Sequence, residues 1–199
     1  MEYTANQVRL RGSLAELPKF SHENHEKRFY SFSLEVLRLS GNVDVLPVIV
    51  PEPVLHSMEL TDGSMLEVTG QIRTFNNKAP SGRRLIISVY AETIQVCDGE
   101  DLNQVSLAGR ICKPPIYRQT PLGREICDVM LAVNRPYRRA DYIPCIFWGK
   151  TAGEVGDCEV GDQLQLTGRL QSREYVKLLG DASEQRTAYE VSAMTAEKI

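Results

Sequence analysis

Asn6-Gln7-Val8-Arg9-Leu10-Arg11-Gly12 returns 97 positions later as Asn103-Gln104-Val105-Ser106-Leu107-Ala108-Gly109. Val68-Thr69-Gly70-Gln71-Ile72 returns 98 positions later as Leu166-Thr167-Gly168-Arg169-Leu170. Two matches at nearly one offset make the 199-residue chain a tandem duplication. The units run over residues 1–98 and 99–199. The junction, Cys97-Asp98-Gly99-Glu100-Asp101, is a short polar turn with little reach as a linker.

Each unit reads as strands. In the second, Val105 to Ile111 alternates, and Cys127, Val129, Leu131 and Val133 share a face by period two. Ile143, Cys145 and Phe147 form a third strand. Leu164, Leu166 and Leu170 form a fourth, and Tyr189, Val191 and Ala193 a fifth. Gly149 to Val155, between the third and fourth, has room only for a short helix. The first unit keeps this order, with a strand over Val43 to Val50 and a short helix near Pro53 to Met58. Proline at the start suits a first helical turn. Gly12, Gly109, Gly70 and Gly168 fall inside strands, where a small barrel bends to close. The expected fold is all-β: two tandem OB-folds, each a five-stranded partly open barrel with one short helix. A β-sandwich of another topology is the alternative.

Composition narrows the function. The chain is 42% hydrophobic and 25% charged, which excludes disorder and a fibre. A formal net charge of −3 excludes attraction of the whole molecule to nucleic acid but leaves room for a local basic groove. Apolar runs such as Leu46 to Val50 are too short to span a bilayer. Met1-Glu2-Tyr3-Thr4 has neither the basic nor the apolar region of a signal peptide, so a cytoplasmic protein without membrane attachment is expected. Five cysteines, none in a Cys-x-x-Cys pair, predict reduced core thiols rather than a disulfide or zinc framework. His22 and His25 read as part of a polar loop, not a metal site. No catalytic constellation is recognisable, so neither an enzyme nor a cofactor is expected.

Alternation separates core from platform in the second unit. Tyr142, Pro144, Ile146 and Trp148 share the side away from Ile143, Cys145 and Phe147. Gln165, Thr167, Arg169, Gln171, Arg173 and Tyr175 lie opposite Leu164, Leu166 and Leu170. Asn134-Arg135-Pro136-Tyr137-Arg138-Arg139 adds three arginines around a tyrosine, and a mobile loop is expected to carry Tyr117 and Arg118. Planar rings can stack bases and cations can track phosphates. The bland reading of any one ring is core or edge filler, and of Arg138-Arg139 a solvated loop. Convergence of four segments on one barrel face favours a platform.

The second unit resembles the bacterial single-stranded-DNA-binding protein family. The residues carrying the resemblance begin with Asn103 to Gly109, Thr120-Pro121-Leu122-Gly123 and Leu131-Ala132-Val133-Asn134-Arg135. It continues through Tyr142 to Lys150 and closes with Gly161 to Tyr175. The resemblance implies four ring positions for stacking on single strands, which fall on Tyr137, Tyr142, Trp148 and Tyr175. It implies single-stranded DNA as the partner, a homodimer of four barrels, and a role in replication, recombination or repair. Arg135, Arg138, Arg139, Lys150, Arg169 and Arg173 are the expected phosphate contacts, with Tyr117 and Arg118 beside them. The sequence closes on Ala196-Glu197-Lys198-Ile199, so recruitment of partners through the acidic tip of many members is not expected.

The first unit departs from this pattern. Ser40 stands for Tyr137 and Phe75 for Tyr175. Asp44, Leu46, Val48 and Val50 are expected on the side that bears the rings in the second unit. Such an exposed apolar row would be covered by a barrel or subunit interface. Residual contacts through Arg73, Phe75, Arg83 and Arg84 are the exception. That apolar row and the acidic pI of about 5.7 favour the competing class, a primosome-like assembly module that binds proteins chiefly and DNA weakly.

Overall fold

A computed structural model describes residues 5–78, 80 and 85–199. The first copy runs β1 (Asn6–Leu14), β2 (Lys19–Asn24), β3 (Lys27–Leu37), β4 (Val43–Pro51), α1 (Glu52–Leu55), β5 (Met65–Asn76) and β6 (Leu85–Val96). The second runs β7 (Leu102–Ile111), β8 (Ile116–Gln119), β9 (Glu125–Arg135), β10 (Arg139–Trp148), α2 (Gly149–Gly156), β11 (Gln163–Leu179) and β12 (Ala182–Lys198). Each copy is thus the expected five-stranded barrel plus one short extra strand, β2 or β8. Those two strands bury nothing. They are held by backbone pairing to β3 and β9 and by exposed side-chain contacts, so they leave no alternation in the sequence. His22 therefore sits on a strand, while His25 and Glu26 make the turn with positive φ of 48° and 62°. Tyr117 and Arg118 likewise lie on β8 rather than on a mobile loop.

All strands join one sheet in the order β2-β3-β4-β6-β5-β1-β7-β11-β12-β10-β9-β8. The order is its own mirror image about the β1–β7 pair. Each barrel closes through only two residue pairs, Ser13–Glu35 with Leu14–Leu34 and Arg110–Ala132 with Ile111–Leu131. That is the partly open OB-fold.

Two glycines bend the long hairpins of the barrels. The β5–β6 and β11–β12 ladders slip by one residue between Thr69 and Gly70 and between Thr167 and Gly168. There the partner strand crosses so closely that a Cβ on Gly168 would lie 2.2 Å from the Ser192 carbonyl oxygen. On Gly70 it would lie 1.9 Å from that of Tyr90. The obstacle is backbone, which cannot rotate away. Gly168→Ala should therefore destabilise the protein by about 3 kcal/mol or more, at the upper end of overpacking costs. Urea unfolding would measure this as a lowered midpoint with an unchanged slope.

The inward rows of the second copy are those the alternation predicts, Cys127, Val129, Leu131, Val133, Ile143, Cys145 and Phe147 among them. Burial pushes the Cys127 thiol up to about 11 and raises Cys145 further still. All five cysteines are free. One expectation for the first copy is overturned. Asp44, Leu46, Val48 and Val50 are each 0% exposed and form the interior row. The outward row is Val43, Val45, Pro47, Ile49 and Pro51. The 97-residue offset equates Asp44 with the buried Asp141, not with the outward Tyr142. Both sides of β4 are apolar, so period two gives no face there.

The copies meet across a pseudo-two-fold axis. Val8 pairs with Val105, its own counterpart, in the antiparallel β1–β7 ladder. Matching contacts flank the axis. The Ser172 N–H donates to Asp44 Oδ1 at 2.9 Å, and the Thr74 N–H donates to Asp141 Oδ1 at 2.8 Å. The Val45 N–H donates to Ser172 Oγ at 3.3 Å, and the Tyr142 N–H donates to Thr74 Oγ1 at 2.8 Å. Arg38 Nε donates to Asp44 Oδ2 at 2.8 Å. Its counterpart Arg135 places Nε 3.2 Å from Asp141 Oδ2. The angle there is poor, so this is an ion pair rather than a hydrogen bond. Two buried carboxylates thus fasten one barrel to the other.

Candidate nucleic-acid interface

The outward face of the second barrel encloses an open groove of about 800 Å³. Ile126 of β9 and Ile146 of β10, both buried, form part of its floor. Trp148, the last residue of β10, stands at its wall and is 36% exposed. The indole Nε1–H donates to Ser192 Oγ of β12 at 3.3 Å. The Arg124 guanidinium lies 5.7 Å from the indole centre. The ring is oriented on one side by a hydrogen bond and partnered by a cation, a geometry suited to a stacked base.

Five arginines line the groove: Arg118 of β8, Arg124, Arg169 and Arg173 of β11, and Arg38 from the first copy. Three are already engaged by carboxylates. Arg118 lies 3.0 Å from Asp128, Arg173 lies 3.6 Å from Glu190, and Arg38 is bound to Asp44. That last hydrogen bond holds the Arg38 guanidinium above its usual pKa. Glu190 also accepts from Gln171 Nε2 at 3.0 Å, so Gln171 is buried rather than displayed. Arg124 and Arg169 have no carboxylate partner among the described residues.

The structure sorts the sequence candidates. It brings Trp148, Arg118, Arg169 and Arg173 to one groove. Tyr175 follows on β11, its ring 5.8 Å from the Arg173 guanidinium. Tyr142 shares the outward side of β10 with Trp148 but lies six residues away, roughly 20 Å along the strand. It is 42% exposed and beside the seam. Tyr137 caps the β9–β10 turn, 95% exposed, next to Arg138; both residues have positive φ. Arg139 opens β10 at the same end.

Three candidates are otherwise engaged. Arg135 is committed to Asp141 at the seam, which Arg73 of the first copy also approaches at 3.5 Å. Lys150 extends from α2 to within 3.4 Å of Glu154 and does not line the groove. The Tyr117 hydroxyl donates to Glu125 Oε1 at 2.6 Å, and its ring packs against Gly156 of α2. That hydrogen bond and partial desolvation raise the phenol pKa.

Sequence reasoning missed Arg124 and Arg38. Arg124 directly follows the Thr120–Gly123 turn, and β8–β9 pairing carries it toward Trp148. Arg38 could have been found only by applying the repeat offset to Arg135. Phe75 is also reassigned. The offset that joins Gly70 to Gly168 sets Phe75 against Arg173 and Asn77 against Tyr175. Arg83 and Arg84 lie outside the described residues. Among the described residues no group of three His, Cys, Asp or Glu side chains could hold a metal, and no helix is long and apolar enough to cross a membrane.

Fold and groove together define a tandem OB-fold protein with a ring-and-arginine face. The chain belongs to the single-strand binding protein family, whose description matches residues 102–199. It is 40% identical over 80 residues to single-stranded DNA-binding protein B of Bacillus subtilis, covering 37% of this chain and 71% of that protein. It is 36% identical over 105 residues to the single-stranded DNA-binding protein of Halalkalibacterium halodurans, covering 49% of this chain and 59% of that one. It spans about half the length of several other relatives. The fold extends through both copies. The crystal structure of the wild-type single-stranded DNA binding protein from Thermus aquaticus superimposes with a TM-score of 0.81 at 23% identity, over 98% of this chain and 92% of that one.

Proposed function

We propose that the chain binds single-stranded DNA with little regard to sequence, through the groove of the second barrel, and shields it during replication, recombination or repair. The observation that carries this is Trp148, oriented by Ser192 and flanked by Arg124, on a wall of a groove lined by five arginines. A base stacks on the indole while arginines meet the phosphates, and the path runs on to Tyr142, Tyr137 and Tyr175. The protein works without catalysis, in the cytoplasm. The assembly-module alternative rests on the apolar β4 and the acidic pI; the row named for it, Leu46, Val48 and Val50, is interior, and the ring-and-arginine face of the second barrel opposes it.

A homodimer of four barrels is part of the proposal. The β11–β12 hairpin displays Val176, Leu178 and Leu179 near its tip, 62%, 77% and 48% exposed. A two-stranded ribbon is marginal in water without a surface to cover it.

Trp148 is the sole tryptophan, so its emission reports on the groove directly. A thymidine homopolymer should quench it and duplex DNA should not. The slope of log affinity against log salt should lie between about −1.4, if two arginines each neutralise a phosphate, and about −3.5, if all five do. Sedimentation of the same samples should give twice the mass of one chain. Absence of quenching and of anisotropy change would overturn the binding proposal, and a single-chain mass would overturn the dimer.

A further inference from the structure

The first barrel lacks rings at the places where the second displays them. Counterparts of Tyr137, Tyr142, Trp148 and Tyr175 are Ser40, Val45, Pro51 and Asn77. The outward face of β3, β4 and β6 nevertheless carries rings of its own. Phe29 lies directly across the ladder from Pro51, where the second barrel sets Ile126 across from Trp148. Tyr90 pairs with Ile49, where the second barrel pairs Ser192 with Ile146. Ile126, Trp148 and Ser192 in one copy thus correspond to Phe29, Pro51 and Tyr90 in the other. The central ring is gone and both flanking strands have gained one.

These rings form a row across the sheet. His22 of β2 stacks on Phe29, centroids 4.8 Å apart and planes 11° from parallel. Phe29 is 6.5 Å from Tyr90, and the Arg73 guanidinium is 5.8 Å from the Tyr90 ring. Phe29, Tyr90 and Arg73 project away from the interior residues Phe32, Val89 and Ile72 on their strands, so core packing does not account for them. Arg73 sits at the seam end of the row, its guanidinium 3.5 Å from Asp141 of the second copy.

We infer that the first barrel is a second single-strand site, in which bases stack along His22, Phe29 and Tyr90 and phosphates meet Arg73. It rests on the binding proposal above. One strand then crosses the seam, and the chain occludes a length set by two barrels rather than one.

The test uses the full chain and a thymidine homopolymer. Ultraviolet cross-linking followed by peptide mapping should find adducts at Phe29 or Tyr90 as well as in the Trp148 peptide. The double variant Phe29→Ile, Tyr90→Ser installs the residues that the second barrel already carries at those places, which protects the fold. It should keep full Trp148 quenching while the occluded length per chain drops by about half, each barrel covering roughly 4–16 nucleotides. Adducts confined to the second barrel, or an unchanged occluded length, would overturn the inference and leave the second-barrel proposal standing. Loss of Trp148 quenching in the unmodified chain would overturn both.

Discussion

Trp148→Ala weakens binding of a fluorescently labelled thymidine oligomer by about 5- to 150-fold, the equivalent of one lost base stack of ~1–3 kcal/mol. The label replaces the emission that the substitution removes. The indole is only 36% exposed, and its Nε1–H is already bonded to Ser192. Its open face and its rim of arginines are what a base would use. Trp148→Phe keeps a flat ring and should retain most of the affinity, whereas a purely electrostatic groove would tolerate alanine equally well. Phe75→Ala should cost much less. Its position corresponds to Arg173, and it lies outside the His22–Phe29–Tyr90 row. Equal losses from Trp148→Ala and Phe75→Ala would argue against the second barrel as the dominant site.

Asp141→Ala has the largest expected effect on stability. The carboxylate is 0% exposed, accepts the Thr74 N–H, and stands between Arg73 and Arg135 at 3.5 and 3.2 Å. Burial already lowers the Arg73 pKa, and nearby Arg135 lowers it further, so Asp141 is the charge that makes this pairing tolerable. Removing it leaves two guanidinium groups facing each other and an amide without its acceptor. Breaking a buried pair from one side costs about 3–5 kcal/mol. Asp141→Asn keeps an acceptor for Thr74 but no charge, and should fall between the two. Urea unfolding followed by circular dichroism would read the loss as a lowered midpoint. An alanine midpoint matching the unmodified chain would show that this carboxylate adds nothing to the seam, leaving it to the β1–β7 ladder and the Asp44 contacts.

The tandem barrels were legible because two strand motifs recur at one offset and because the second copy alternates cleanly. Trp148, Arg169 and Arg173 were legible for the same reason, since a known face and a fixed period place them together, whereas Arg118 was named without its strand. Three kinds of feature escaped. Strands β2 and β8 bury no side chain, so their existence rests on backbone pairing that composition does not encode. Strand β4 is apolar on both sides, and only the register against Asp141 reveals which side is inward. Arg38 reaches from the first barrel into the groove of the second, and that is a property of the seam rather than of either copy. The ring row of the first barrel was hidden similarly. Phe29 and Tyr90 sit one strand, and His22 two strands, from β4, where the resemblance directs attention.

The Val8–Val105 pairing has a consequence for dilution. In a dimer of separate chains, such a pairing is populated according to protein concentration and dissolves as concentration falls. Here both halves lie on one polypeptide, and the partner's effective concentration is set by the five residues between β6 and β7. The paired state should persist at the scarcest copy number. Covalent linkage also frees the halves from symmetry. A substitution in an identical-chain dimer is made twice, at both ends of the axis. In this chain tryptophan can stand at 148 while proline stands at 51. One scaffold can thereby hold two unlike surfaces in fixed relation.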